Sequence, residues 1–103
     1  MAWTRVCHID EIEIEDVACA VIGDREVAVY RDADGCFHAS DAYCTHEREK
    51  LCEGLLMDGI IECPRHGGQF RISDGKAMGP PVIVDVEIFP VKVEDDGVHV
   101  DVG

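Results

Sequence analysis

Apolar positions along this chain recur in short stretches broken every few residues by Gly, Asp or Pro, and no useful length shows the 3.6-residue period of an amphipathic helix. Trp3 to His8 predicts a short strand, and 9–16, where Ile9, Ile12 and Ile14 sit between carboxylates, predicts a turn and connection. Val17–Ile22 and Glu26–Arg31 are β-type runs separated by Gly23-Asp24-Arg25, which predicts a hairpin. Asp32-Ala33-Asp34-Gly35 is a second turn signal leading to 36–39, so three successive strands in a meander are expected. Leu55–Glu62 predicts another hairpin, ending at Cys63 because Pro64 cannot donate a ladder hydrogen bond. Residues 69–72 resume a strand that 73–76 turns. The clearest alternation sets Val82, Val84, Val86 and Ile88 against Ile83, Asp85, Glu87 and Phe89, and predicts strand across 82–89; Asp95-Asp96-Gly97 then turns into 98–102. The pattern argues an all-β fold, an antiparallel β-sandwich or barrel.

Length changes this picture little: 103 residues make one domain, 1–103, because either half alone would bury too little apolar surface. The stretch 40–81 is rich in Cys, His, Gly and Pro and reads as a loop-built subdomain inserted between β-rich flanks. The apolar fraction, 47%, fits a globular protein, and no apolar run reaches the ~18 residues needed to cross a bilayer. The first residues lack the features of a secretory signal, so a cytoplasmic location is expected. A formal charge of -13 repels phosphates, which argues against nucleic acid and anionic membrane surfaces as partners. The excess serves either solubility or steering toward a basic face on a protein partner.

Without an export signal, the six cysteines read as metal ligands in part and inert burial in part. Cys44-Thr45-His46 is followed, after sixteen intervening residues, by Cys63-Pro64-Arg65-His66. Two thiolates and two imidazoles on two loops satisfy one tetrahedral Zn(II), or serve a [2Fe–2S] cluster with both thiolates on one iron and both imidazoles on the other. Structural zinc knuckles commonly pair Cys with Cys and His with His; here each loop offers one of each, as expected if each loop straddles two irons.

Cys44-x-His46 and Cys63-x-x-His66 resemble the signature of the Rieske [2Fe–2S] family. Gly79-Pro80-Pro81, placed like that family's proline loop, extends the resemblance over essentially the whole chain. The subgroup most resembled is the ferredoxin component of multicomponent aromatic-ring-hydroxylating dioxygenases. The resemblance implies a Rieske-like antiparallel β-sandwich with a cluster-binding subdomain, holding one [2Fe–2S] cluster per chain. By the same resemblance Cys44 and Cys63 bind one iron, and His46 and His66 the other. It further implies a monomeric, non-catalytic carrier of single electrons from a flavin-dependent reductase to a terminal oxygenase. High-potential members join their two cluster loops by a disulfide at positions matching Glu49 and Arg65. They also carry a Ser and a Tyr, hydrogen-bonded to sulfur, at positions matching Gly68 and Phe70. None of these is present, which implies a potential near the low end of the Rieske range, roughly -150 mV.

The alternatives are the small subunit or a domain of an assimilatory nitrite reductase and, in a different class, a zinc-stabilised structural or interaction module. Cys7, Cys19, Cys36 and Cys52 are expected as buried small apolar residues, with an extra metal site or a disulfide as the minority reading. His8, His38 and His99 are expected at the surface or half-buried. Glu47, Arg48, Glu49 and Lys50 either rim the cluster or belong to a merely solvated loop, and Arg65 either adjusts the cluster or faces solvent. Trp3, Tyr30, Tyr43 and Phe89 are expected to pack.

Overall fold

The structure, a computed structural model, describes residues 2–46, 48–65 and 67–103. Strand β3 (Arg25–Arg31) organises it. Val27 and Val29 on one face and Ala28 and Tyr30 on the other are all buried, so this strand separates two cores. It lies inside an antiparallel sheet formed with β2 (Asp16–Ile22), β4 (Phe37–Asp41) and β8 (Ile88–Phe89), in the order β2-β3-β4-β8. The hairpin and meander expected from the turn signals are therefore present, with Val27 opposite Ala20 and Asp41.

One core gathers Val27, Val29, Ala39 and Phe89 from this sheet with Ile12, Val98 and Val100. The two last residues belong to a second antiparallel sheet, ordered β1-β10-β9, of β1 (Trp3–His8), β10 (Gly97–Asp101) and β9 (Val91–Glu94). The other core gathers Ala28 and Tyr30 with Leu51, Leu56, Ile61, Phe70, Val82, Val86 and the two cysteines Cys44 and Cys63. Three of these residues sit on a third antiparallel sheet, β5 (Leu55–Met57), β6 (Ile60–Glu62) and β7 (Gln69–Arg71). The Tyr30 hydroxyl is 2.7 Å from Ser40 Oγ, which satisfies a phenol whose burial pushes its pKa well up. The helices among the described residues are two 3-10 segments, Ile9–Glu11 and Leu51–Glu53, and none is long and apolar enough to cross a membrane.

Two expectations are corrected. The segment 82–87 is not a strand, despite its alternation; the ladder begins only at Ile88, opposite Ser40. Its polar groups go to scattered partners: Val82 N–H to the Gly79 carbonyl, Val86 N–H to the Gly75 carbonyl, and the Asp85 carboxylate to the Ala77 N–H. Val82, Val86 and Phe89 are buried while Ile83, Val84 and Ile88 are exposed, so the apolar positions are split by an irregular path and not by a pleat. The inserted region carries the third sheet, built from the hairpin expected at 55–62 and the strand expected at 69–72.

The four cysteines outside the motif are not buried apolar residues. Cys7 is half-buried and Cys36 exposed, and Cys19 and Cys52 form a disulfide with a Cα–Cα distance of 5.5 Å. Cys19 lies on β2, the edge strand of its sheet, and Cys52 on the 3-10 segment Leu51–Glu53. The bond ties this edge to the chain that follows the first Cys/His pair. With a sequence separation of 33 between the cysteines, the chain-entropy model assigns the cross-link about 3–4 kcal/mol. Replacing both cysteines by Ser is expected to lower the unfolding free energy by about that amount, measured by urea denaturation against the oxidised protein.

Candidate metal centre

The two Cys/His pairs sit on two closed loops. The first leaves β4 at Asp41 and returns at Leu51. Tyr43 bridges Lys50, Leu51 N–H donates to the Ala42 carbonyl at 2.7 Å, and Cys44 N–H donates to the Glu49 carbonyl at 2.9 Å. The second joins β6 to β7 and is closed by Cys63 N–H donating to the Gly68 carbonyl at 2.7 Å. A cysteine thus occupies the first position of each loop, at the end of a hydrogen-bonded stem, where its geometry is best determined.

Both cysteines are almost wholly buried, at 5% and 4% exposure, and belong to the core built on Tyr30, Leu51 and Phe70. They share one buried cluster, with Cys44 close enough to Cys63 to raise its pKa. Burial pushes the Cys63 thiol up, and the adjacent Cys44 adds to this, while the Arg65 backbone N–H, donating to the Cys63 sulfur, pulls it down. Two thiols held together out of water favour a cation that replaces their protons. His46, two residues beyond Cys44, is exposed. One side chain of the first pair thus points into the protein and the other reaches its surface. His66 and Glu47 lie outside the described residues.

The loops are held by their neighbours. Thr45 Oγ1 donates to the Val84 carbonyl at 2.6 Å, which fastens the irregular 82–87 segment to the first loop. Glu26 of β3 accepts from the Tyr43 hydroxyl at 3.1 Å and pairs with Lys50 at 2.9 Å, and these partners, Lys50 foremost, lower its pKa. Arg48 stacks over the Tyr43 ring. Glu49 Oε1 accepts from Arg65 Nη1 at 3.0 Å, which joins the first loop to the second. Glu49, Lys50 and Arg65 are therefore engaged side chains and not merely solvated ones. Sequence reading missed the part of Glu26, which lies in a β-run with no sign of its distant partners.

The two positions without hydroxyls are also accounted for. Phe70 is completely buried, and a Cβ on Gly68 would lie 2.6 Å from Val82 Cγ1. The Tyr43 and Thr45 hydroxyls are committed to Glu26 and the Val84 carbonyl.

A β protein that presents two adjacent buried thiols from paired loops, with an imidazole at the surface, is built as a metal-cluster protein. The Rieske [2Fe-2S] domain model matches residues 2–90, and the chain belongs to that family. Its relatives include the anthranilate 1,2-dioxygenase ferredoxin subunit of Burkholderia cepacia, 35% identical over 98% of this chain and 93% of that protein. Among solved structures it is similar to the Sphingomonas yanoikuyae B1 ferredoxin, with a TM-score of 0.90, 32% identity, and coverage of 97% of this chain and 98% of that one. A chain in the complex of reduced oxygenase and oxidized ferredoxin in carbazole 1,9a-dioxygenase matches with a TM-score of 0.87 and 32% identity, covering 95% of this chain and 91% of that one. The cofactor of this family is a Rieske-type [2Fe–2S] cluster, and the two buried cysteines fit it.

Gly68→Ser is expected to destabilise the protein by about 1–3 kcal/mol, because the added side chain must displace Val82. Denaturation midpoints compared with the parent protein measure the loss.

Proposed function

We propose that this protein is the ferredoxin component of an aromatic-ring-hydroxylating dioxygenase system, carrying single electrons from a flavin-dependent reductase to a terminal oxygenase. The observation that carries the reading is the pair of buried, adjacent thiols of Cys44 and Cys63, in a chain that aligns over nearly its whole length with ferredoxin subunits of such systems. In this reading the whole chain, 1–103, is one domain, and about 40–81 is its cluster-binding part. Cys44 and Cys63 hold one iron, and His46 and His66 the other. The protein acts as a monomer in the cytoplasm and makes or breaks no substrate bond.

When bound, a Rieske cluster supplies a one-electron redox couple. The chain's own residues do the rest. Tyr30, Leu51, Phe70 and Val82 keep water from the thiol side, while His46 reaches the surface that a partner approaches. With Gly68 and Phe70 offering no hydroxyl to a sulfur, the potential stays low in the Rieske range, roughly -150 mV. That range suits delivery from a flavin. The excess of acidic residues, -13 overall, favours partners with basic docking faces.

The deciding test is reconstitution: the purified protein, supplied with such a reductase and oxygenase, should support product formation that ceases when it is omitted. Failure with every such pair, while the protein reduces a nitrite reductase, would assign it elsewhere. His46→Ala and His66→Ala are each expected to abolish the Rieske electron paramagnetic resonance signal and the matching visible bands. Electron delivery should slow as salt rises beyond the ionic strength at which the Debye length is about 10 Å, and stopped-flow rates across a salt series check this.

A further inference from the structure

We propose that Glu49 and Arg65 form an inter-loop clamp that positions the two cysteine-bearing loops relative to each other; this rests on the reading of Cys44 and Cys63 as cluster ligands. Each loop is closed on its own stem, the first by Cys44 N–H to the Glu49 carbonyl and the second by Cys63 N–H to the Gly68 carbonyl. The stems belong to different parts of the fold, since the first extends from β4 and the second joins β6 to β7. Among the described residues, no common strand ladder therefore sets the spacing of the two loops.

Glu49 makes contact in both directions. Its carbonyl accepts from the Cys44 backbone at 2.9 Å, and its carboxylate accepts from Arg65 Nη1 at 3.0 Å. The Arg65 backbone N–H in turn donates to the Cys63 sulfur. Cys44 in turn lies close enough to Cys63 to raise its pKa, so the contacts run in a ring through Cys44, Glu49, Arg65 and Cys63. One side-chain bond in this ring crosses from loop to loop, and it links the residue whose carbonyl orients one cysteine to the residue whose amide touches the other.

The clamp acts locally on the two loops and adds little to global stability. The side chains of Arg65 and Glu49 are 61% and 33% exposed, and an exposed ion pair shifts an equilibrium by about fivefold at most. Glu49 and Arg65 are positioning residues, and their effect belongs on the spacing of the loops.

The test uses Glu49→Ala, Arg65→Ala, the double Ala variant, and the charge reversal Glu49→Arg with Arg65→Glu. Every variant keeps the backbone groups that touch the cysteines. Hydrogen exchange on the purified full chain is followed in 42–51 and in 63–68. Each single Ala variant is expected to speed exchange about two- to fivefold in both loops, including the one it does not alter. The double variant should be no worse than either single, and charge reversal should restore slow exchange. On the iron-loaded protein, chelator-driven bleaching of the visible bands should follow the same order. Effects confined to the altered loop, multiplicative effects in the double variant, or no recovery on reversal would overturn the clamp. A protein that takes up no iron would sink the functional reading, and the exchange pattern would still decide whether the loops are clamped.

Discussion

The constraint on which this structure depends is that two cysteine thiols from separate loops must lie side by side out of water. Thiols in such a place are costly as thiolates and inert as thiols unless a metal replaces their protons. Much of the fold follows from meeting that condition in a small chain. β3 gives one face, Ala28 and Tyr30, to the core that surrounds Cys44 and Cys63, and the other, Val27 and Val29, to the core that holds the sandwich together. The strand is thus the shared wall between the part that supplies stability and the part that supplies chemistry.

The attachments of the first loop show how the load is spread. Its stem is bonded to itself, Glu26 of β3 holds Tyr43 and Lys50, the Thr45 hydroxyl holds the 82–87 segment, and the Cys19–Cys52 bond anchors the chain beyond it to the edge strand β2. The polar contacts are individually modest, and the ion pairs are partly exposed. Their number leaves the loop few ways to move, which suits a site whose surroundings should change little when an electron arrives.

The sequence disclosed most where local chemistry decides the outcome. Gly23-Asp24-Arg25 and Asp58-Gly59 mark hairpins through their backbone preferences, and Asp58 and Gly59 do adopt positive φ, 53° and 77°. The Cys/His spacing announced a metal site because two such pairs have few other uses. Longer-range facts were less legible. The alternation of 82–89 is the signature of a strand, yet a strand also needs a free edge to pair with, and only Ile88 and Phe89 meet one. The pairing of Cys19 with Cys52 depends on a 3-10 segment folding over an edge strand 33 residues away, which spacing does not encode.

The contact between Gly68 and Val82 reaches beyond packing. A hydroxyl at position 68 is one route by which a chain of this family could raise its potential, but here that space is filled by a side chain of the neighbouring segment. That route carries a cost in stability as long as Val82 stays in place. A smaller residue at position 82 would remove the cost, so the redox tuning of this chain is coupled to a valine in the neighbouring segment.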